Sequence, residues 1–551
     1  MGLNLWYYYK KSPFHPTQSL KNNITMIDFI KLIKNKFALI ATDKDELGLF
    51  AFLAVYLMSW TLLSVLLLLS SELDSIEQVV WSQSWQWGYY KHPPLPSALL
   101  HALNALFCGP SVGLTVFAAQ GCSVLALFYV WRLAKQMLPK KQAIVAVLIT
   151  SLIAYHNSRA FAFNHNTVSL PFTAAAIYYF YNALRCPKSL SNWLWLGLVC
   201  GLAMLTKYSA ILIIAGFFVV IIWQRLWSDT RIILGLLVSS IIFMLVISPH
   251  VLWLIDNNWI PFTYIHDKLA ESDSRLGILI GFVANVMVRL VFALPLLLGV
   301  WFFIKKGTIK IAMIPEADQP ESSHDLRFLL VVLLTPLILA MMVPLLSASP
   351  LNSNWVTAFF LPSGILLTKC FYKQLDDTQL LKVVSGLAWI TQAIILIFFF
   401  AVALIYPNIV GSPARLNFPG EALANKVTEI WSAQQKEPLA IVISDSWTGG
   451  NVLLYARPEP TLFIDNNVLE SPWVNARDVE ACGAFIIIVK AEPISDSYSV
   501  LFNQATAKGE LSLAWGHAPR GKELLYSWAI KPPMPGAAPC RFTSQLDKAT
   551  Q

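Results

Sequence analysis

Charged side chains are scarce in this chain. Asp, Glu, Lys and Arg make up 13% of its 551 residues, against 56% hydrophobic, where a soluble domain carries roughly a quarter charged residues. With a mean hydropathy of +0.57, this excludes a soluble globular enzyme. A CxxC pair is also missing. Cys108, Cys122, Cys186, Cys200 and Cys370 lie in or beside apolar runs and read as small core residues. Cys482 and Cys540 lie in a polar C-terminal stretch and could pair if it faces an oxidising compartment. There is no Walker A loop, dinucleotide fingerprint or G-x-S-x-G elbow, and no His/Cys/carboxylate spacing predicts a metal site. Residues 1–47 lack a compact apolar core followed by a small-residue cleavage site, so they do not read as a secretory signal. Ile27, Phe29, Ile30, Ile33 and Phe37, with Lys31, Lys34 and Lys36, instead form an amphipathic basic stretch suited to an inner membrane surface, and Met26 is an alternative start.

What is present is apolar length. About eleven runs can cross a bilayer, near 48–70, 112–131, 142–157, 167–184, 192–206, 209–224, 232–249, 283–304, 328–346, 355–371 and 383–406. Several are short, which fits helices that stop at a recessed cavity. The net charge of +8 sits in the short connectors, so it reads as a topology signal and not as a nucleic-acid surface. With the N-terminus inside, fifteen Lys and Arg fall in inner connectors and five in outer ones, namely Lys91, Arg159, Lys207, Lys268 and Arg275. From about 407 the chain becomes Pro/Gly-punctuated, with short runs such as 439–443 and 484–490 that read as buried strands. The expected organisation is an interfacial segment 1–47, a transmembrane domain 48–406 and a small extracytoplasmic α/β domain 407–551. Within the last, residues 444–450 read as an exposed strand-end loop, and the domain as either an acceptor-binding module or a cap.

The outer loops gather the polar chemistry. Residues 71–94 hold Glu72, Asp74 and Glu77, then Lys91-His-Pro-Pro94. An acid beyond a helix end is either a plain interfacial group or a general base beside a membrane-level cavity; Lys91 and His92 add cationic donors beside a rigid double proline. Lys207, between two short apolar runs and away from the positive side, is either a snorkelling lysine or a phosphate contact. Arg159 and Lys268 admit the same two readings, and His250 and His266 are packing or capping residues or contacts to a ligand or phosphate. Asp43-x-Asp45 reads as a solvated turn on the inner side.

Asp74 through Pro94, with its Trp81-Ser82 pair and Tyr89-Tyr-Lys-His-Pro-Pro94, resembles the first outer loop of C-type glycosyltransferases. The branch is the one containing protein O-mannosyltransferases and lipid A aminoarabinose transferases, the PMT-like group. Residues 163–171, 201–209, 248–253 and 264–268 resemble later segments of that family. The resemblance implies that Asp74 is the catalytic carboxylate, with Ser75 where relatives keep Glu and Glu77 as a second acid. It implies that Lys207, with Lys91, His92 or Lys268, holds a donor phosphate. Many members keep a second Asp where this chain has Asn164 or Asn166; these two, with Arg159, His250 and His266, are acceptor or phosphate contacts. The expected fold is a polytopic α-helical membrane protein with a small C-terminal α/β domain. The expected activity is inverting transfer of a sugar from a polyprenyl-phosphate donor to lipid A, core or another envelope glycan, at the periplasmic face of a bacterial inner membrane. Partners are that donor, the acceptor and membrane lipids. No cofactor is called for, although the resemblance allows a divalent metal. Protein O-glycosylation is the alternative acceptor class, and a lipid or solute transporter the alternative of another kind.

Overall fold

The computed structural model describes residues 43–107, 109–269, 275–310, 320–347, 353–372, 375–410, 414–490, 496–515, 523–536 and 539–542. By internal packing the chain forms two units, Met1–Ala51 and Phe52–Gln551. The described part of the first is the opening of helix α1 (Lys44–Leu67), and all other described elements lie in the second.

Helices come first. After α1 run α2 (Leu73–Trp81), α3 (Leu95–Leu106), α4 (Val112–Met137), α5 (Lys140–Ser151), α6 (His165–Arg185), α7 (Leu190–Thr206), α8 (Ala210–Trp223) and α9 (Thr230–Asp256). Then come α10 (Ile260–Leu269), α11 (Arg275–Leu290), α12 (Leu294–Lys305), α13 (Pro320–Ser347), α14 (Ser363–Leu367) and α15 (Asp377–Leu404). Every expected span falls on helical structure, but not always on one straight helix. Among the described residues five helices are long and apolar enough to cross a membrane, or seven if two sharply bent pairs each count as one. Leu95–Leu106, Leu190–Thr206 and Ala210–Trp223 are shorter apolar helices; the first of these lies where the sequence suggested only loop.

The helices pack by two means. On α7, a Cβ at Gly197 would come within 2.4 Å of the Ser239 carbonyl oxygen on α9, and one at Gly235 within 2.1 Å of the Trp193 ring. Small residues here let two backbones approach, the usual basis of helix association in lipid. The second means is polar. The chain bends by 87° after α5, which frees backbone carbonyls that lipid cannot hydrogen-bond. The Tyr56 hydroxyl lies 2.9 Å from the His156 carbonyl oxygen, Gln120 Nε2 donates to the Asn157 carbonyl at 3.2 Å, and Asn157 Nδ2 donates to Ser151 O and to Gln392 Oε1. Outward, α9 exposes Leu234, Leu237, Ile241, Leu245 and Leu252, and α15 exposes Ile390, Ile394 and Ile397, faces that belong against hydrocarbon.

The C-terminal part is built on a five-stranded sheet. After α16 (Tyr406–Val410) and α17 (Gly420–Gln434) come β1 (Ile441–Ser444), α18 (Ser446–Tyr455), β2 (Thr461–Ile464), α19 (Ala476–Cys482), β3 (Ala484–Val489), α20 (Asp496–Asn503), β4 (Ala507–Ala514) and β5 (Glu523–Lys531). The strand order is β2-β1-β3-β5-β4. β1 pairs in parallel with β2 and β3, and β5 runs antiparallel to β3 and β4. All four residues of β1 are buried, as expected of a central strand covered on both faces. Cys482 and Cys540 form a disulfide, which ties the end of α19 to the C-terminal segment. Residues 444–450 are not an exposed loop: Ser444 ends β1, Asp445 caps α18 and Gly449 and Gly450 are buried.

Candidate active site

The first long connection folds into α2 because its acid-led start and apolar spacing suit a short buried helix. Glu72 is the extended N-cap, Asp74 stands in the first turn, and Ser75, Ile76, Gln78, Val79, Val80 and Trp81 are buried. Asp74 is left exposed and Glu77 half-buried. The start of α6 meets this helix. Asn164 is its N-cap, accepting from the Asn166 N–H at 2.9 Å and the Thr167 N–H at 3.0 Å. The same Asn164 side chain donates from Nδ2 to Asp74 Oδ2 at 2.9 Å, and the Phe163 N–H donates to Ser75 Oγ at 2.9 Å. Ser75, in the place of a glutamate, therefore anchors the two segments to each other.

Lys207 caps the C-terminus of α7. Its Nζ donates to Asn166 Oδ1 and lies 5.6 Å from the centre of the Trp355 ring. Burial pushes its pKa down to about 7, while the nearby Asp74 charge pulls it upward. One helix N-terminus thus joins carboxylate and ammonium, Asn164 to Asp74 and Asn166 to Lys207. His92 packs on His165 with ring centres 3.9 Å apart. Burial, with Lys207 and Lys91 adding to it, pushes His92 down to about 3. It is therefore a neutral imidazole, not the cationic donor that the sequence suggested. His165 Nε2 is buried with no hydrogen-bond partner among the described residues.

Glu77 and Lys91 pair at 2.6 Å. Burial raises the Glu77 carboxyl, offset in part by Lys91; burial lowers Lys91, but Glu77 more than offsets this and its pKa is raised. Each is thus the other's partner, so the second acid and the cationic donor expected from the sequence form one ion pair beside Asp74. Lys91 also sits 4.8 Å from the Tyr90 ring centre and 5.5 Å from that of Tyr264. Glu470, from the connection after β2, lies within electrostatic reach of the Tyr90 hydroxyl. His250 uses both ring nitrogens on protein, Nδ1 at 2.6 Å from the Trp87 carbonyl oxygen and Nε2 at 3.0 Å from the Tyr208 hydroxyl. It holds the first loop to α9 and is not available to a phosphate. Arg159 is exposed and within electrostatic reach of Glu72 and Arg289, a separate group. His266 and Lys268 fall on α10, with side chains outside the described residues.

The structure therefore brings Asp74, Asn164, Asn166, Lys207 and His92 together. Trp355, His165 and Glu470 were not legible as site residues: their partners lie far away in sequence, and nothing local marks them. The residues do not fit a metal. Among the described residues no three His, Cys, Asp or Glu side chains converge to hold one, and the side chain hydrogen-bonded to Asp74 from α6, Asn164, is an amide that donates to it.

Residues 91–253 match the model of the family described as dolichyl-phosphate-mannose-protein mannosyltransferase, a stretch that begins after Asp74 and contains Lys91, His92, Asn164, Asn166 and Lys207. Over 449 residues the chain is 25% identical to the lipopolysaccharide core galacturonosyltransferase RgtA of Rhizobium johnstonii, covering 79% of this chain and 85% of that protein. Its fold is similar to that of ArnT from Cupriavidus metallidurans bound to undecaprenyl phosphate, with a TM-score of 0.57 and 14% identity over 87% of this chain and 97% of that one. The apo form of ArnT gives a TM-score of 0.56 at 13% identity, with the same coverage of both chains. The partial family match, the relative and the fold agree, and the chain is similar to the C-type membrane glycosyltransferases of the PMT-like group.

Proposed function

We propose that the protein transfers a sugar from a polyprenyl-phosphate carrier to an envelope lipid or glycan at the periplasmic face of the bacterial inner membrane. The carrying observation is the pairing of Asp74 and Lys207 through Asn164 and Asn166 at one helix N-terminus. An acceptor hydroxyl attacks the anomeric carbon of the donor and passes its proton to Asp74. The bond from that carbon to the phosphate oxygen breaks, and its electron pair leaves with the phosphate. Lys207 meets that charge, which grows in the transition state. A single in-line displacement inverts the anomeric centre. Where the acceptor is itself an ionised phosphate, Asp74 has no proton to take and only orients it.

An apolar groove of about 320 Å³ supports the lipid-linked donor. It is bounded by Cys200 on α7, Ile211 and Phe217 on α8, and Ser240 and Phe243 on α9, and so lies between the two helices that Lys207 joins. A phosphate held at Lys207 can lay its isoprenoid tail there. Undecaprenyl phosphate is bound in the ArnT structure, and RgtA is named for lipopolysaccharide core. The same chemistry on a serine or threonine hydroxyl would be protein O-glycosylation. The comparisons support glycosyl transfer over the transport alternative.

The test is deletion of the gene, followed by mass spectrometry of envelope lipids, glycans and proteins, with complementation by wild type and by Asp74→Asn. One sugar mass should disappear from a lipid or glycan, return with wild type and stay near background with the amide, since general-base catalysis contributes about 10²–10⁴-fold. Full restoration by Asp74→Asn would remove Asp74 from the chemistry. A loss confined to proteins would move the acceptor class.

A further inference from the structure

We infer that the sheet-bearing C-terminal part is a positioning element of the transfer site, because α18 sets the placement of α2 and hence of Asp74. The inference rests on the reading of Asp74 as the group that meets the acceptor. Six contacts carry it. Gly450 on α18 lies so close to α2 that a Cβ there would stand 2.4 Å from Ile76 Cγ2 and 3.0 Å from Val80 Cγ2. Both α2 residues are fully buried. Just before α2, Ser70 Oγ donates to Asn451 Oδ1 at 2.7 Å, and the Tyr455 hydroxyl donates to the Leu69 carbonyl at 2.7 Å. Just after α2, Gln83 acts on the edge of β2: its Nε2 donates to the Pro460 carbonyl at 2.7 Å, and its Oε1 accepts from the Leu462 N–H at 3.1 Å.

The helix carrying Asp74 is thus tied at both ends, and along one face, to the C-terminal part. Its opposite side meets Phe163 and Asn164. A side chain gripped from two directions keeps its geometry, and catalysis depends on geometry to within an ångström. Glu470, from the same part of the chain, adds its charge to the surroundings of the neighbouring Glu77–Lys91 pair. Neither expectation for this region, acceptor binding or a cap, accounts for a helix contact so close that it admits only glycine.

Gly450→Ala in the full-length protein tests this. Alanine is the better helix former, so a defect cannot arise from a weaker α18. We expect faster amide hydrogen exchange across residues 73–81 and product lowered about 10–100-fold, carried by kcat, with binding of undecaprenyl phosphate as a probe unchanged, since Lys207 stands at the cap that ends α7 and not on α2. Adding Ile76→Ala removes the obstructing Cγ2, and the double variant should make at least as much product as Ile76→Ala alone. Wild-type exchange in 73–81, wild-type product, additive losses in the double variant, or an equal loss of probe binding would each overturn the inference. Exchange is read whether or not sugar is transferred, so a wild-type protein that makes no glycosylated product would sink the proposed function while the clamp is still decided.

Discussion

Lys207 shows what a single residue settles. Its ordinary pKa of 10.5 falls to about 7 in the folded protein because burial disfavours the charge. Between those values the unfolded chain holds a proton that the folded one has released, so this residue makes stability rise with pH from about 7 to 10.5. Lys207→Met should flatten that rise in a series of denaturation midpoints against pH. Donor use should respond in the opposite sense. As pH passes about 7 the free enzyme loses the ammonium that meets the phosphate, so kcat/KM for the donor should fall about tenfold per unit. Lys207→Arg keeps a charge throughout and should flatten the decline; an unchanged profile in that variant would assign the decline to another group. Sequence alone marked Lys207 as anomalous, a cation between apolar runs, but left snorkelling open. The tertiary structure adds Asn166, 41 residues away, whose side-chain oxygen accepts a hydrogen bond from it.

At the scale of the element, α2 was partly legible. The spacing that puts Asp74 and Glu77 on one side is local, and the structure keeps them on the less buried side. What could not be read is that the two acids have different neighbours. Glu77 faces Lys91 at 2.6 Å, and Asp74 faces an amide. Glu77→Gln leaves an ammonium half-buried without its carboxylate, at a cost of about 3 kcal/mol if the pair behaves as buried ones do. It should lower the melting midpoint more than it lowers transfer per folded molecule. Glu77→Gln combined with Lys91→Met should recover much of the stability; an abolished transfer in the stable double variant would return Glu77 to the chemistry. Asn164 makes the complementary case. An aspartate there would place two carboxylates within hydrogen-bond reach, so one would have to hold a proton. Asn164→Asp should therefore shift the acidic limb of the pH–rate profile upward, an outcome that separate carboxylates would not produce.

At the scale of the molecule, the orientation expected from charge is open to test, and a disulfide bears on it. The proposed periplasmic placement of the C-terminal part predicts that a reporter fused after Gly420 is active only as a periplasmic enzyme. Cytoplasmic activity would move every proposed site to the wrong face. The Cys482–Cys540 bond, 58 residues apart, suits an oxidising compartment. Replacing both cysteines by serine should destabilise the C-terminal part by up to about 4 kcal/mol on the chain-entropy account. The loss should appear as a separate, earlier unfolding transition.

The amino-acid sequence by itself determined the membrane-spanning character, most of the helical positions, two strands of the C-terminal sheet and the identity of Asp74 and Lys207 as candidates. Each of these rests on a local signal: an apolar run long enough to span, a period, a carboxylate or an ammonium in the wrong surroundings. Only the tertiary structure decided which charges are paired, that His92 is neutral, that His250 is consumed in holding a loop, and that α18 grips α2. Those outcomes depend on burial and on contacts between residues that lie tens to hundreds of positions apart, Asp74 with Asn164 and Ile76 with Gly450. Local pattern carries no record of such distances, because the free energy of a charge is set by the atoms that replace its water.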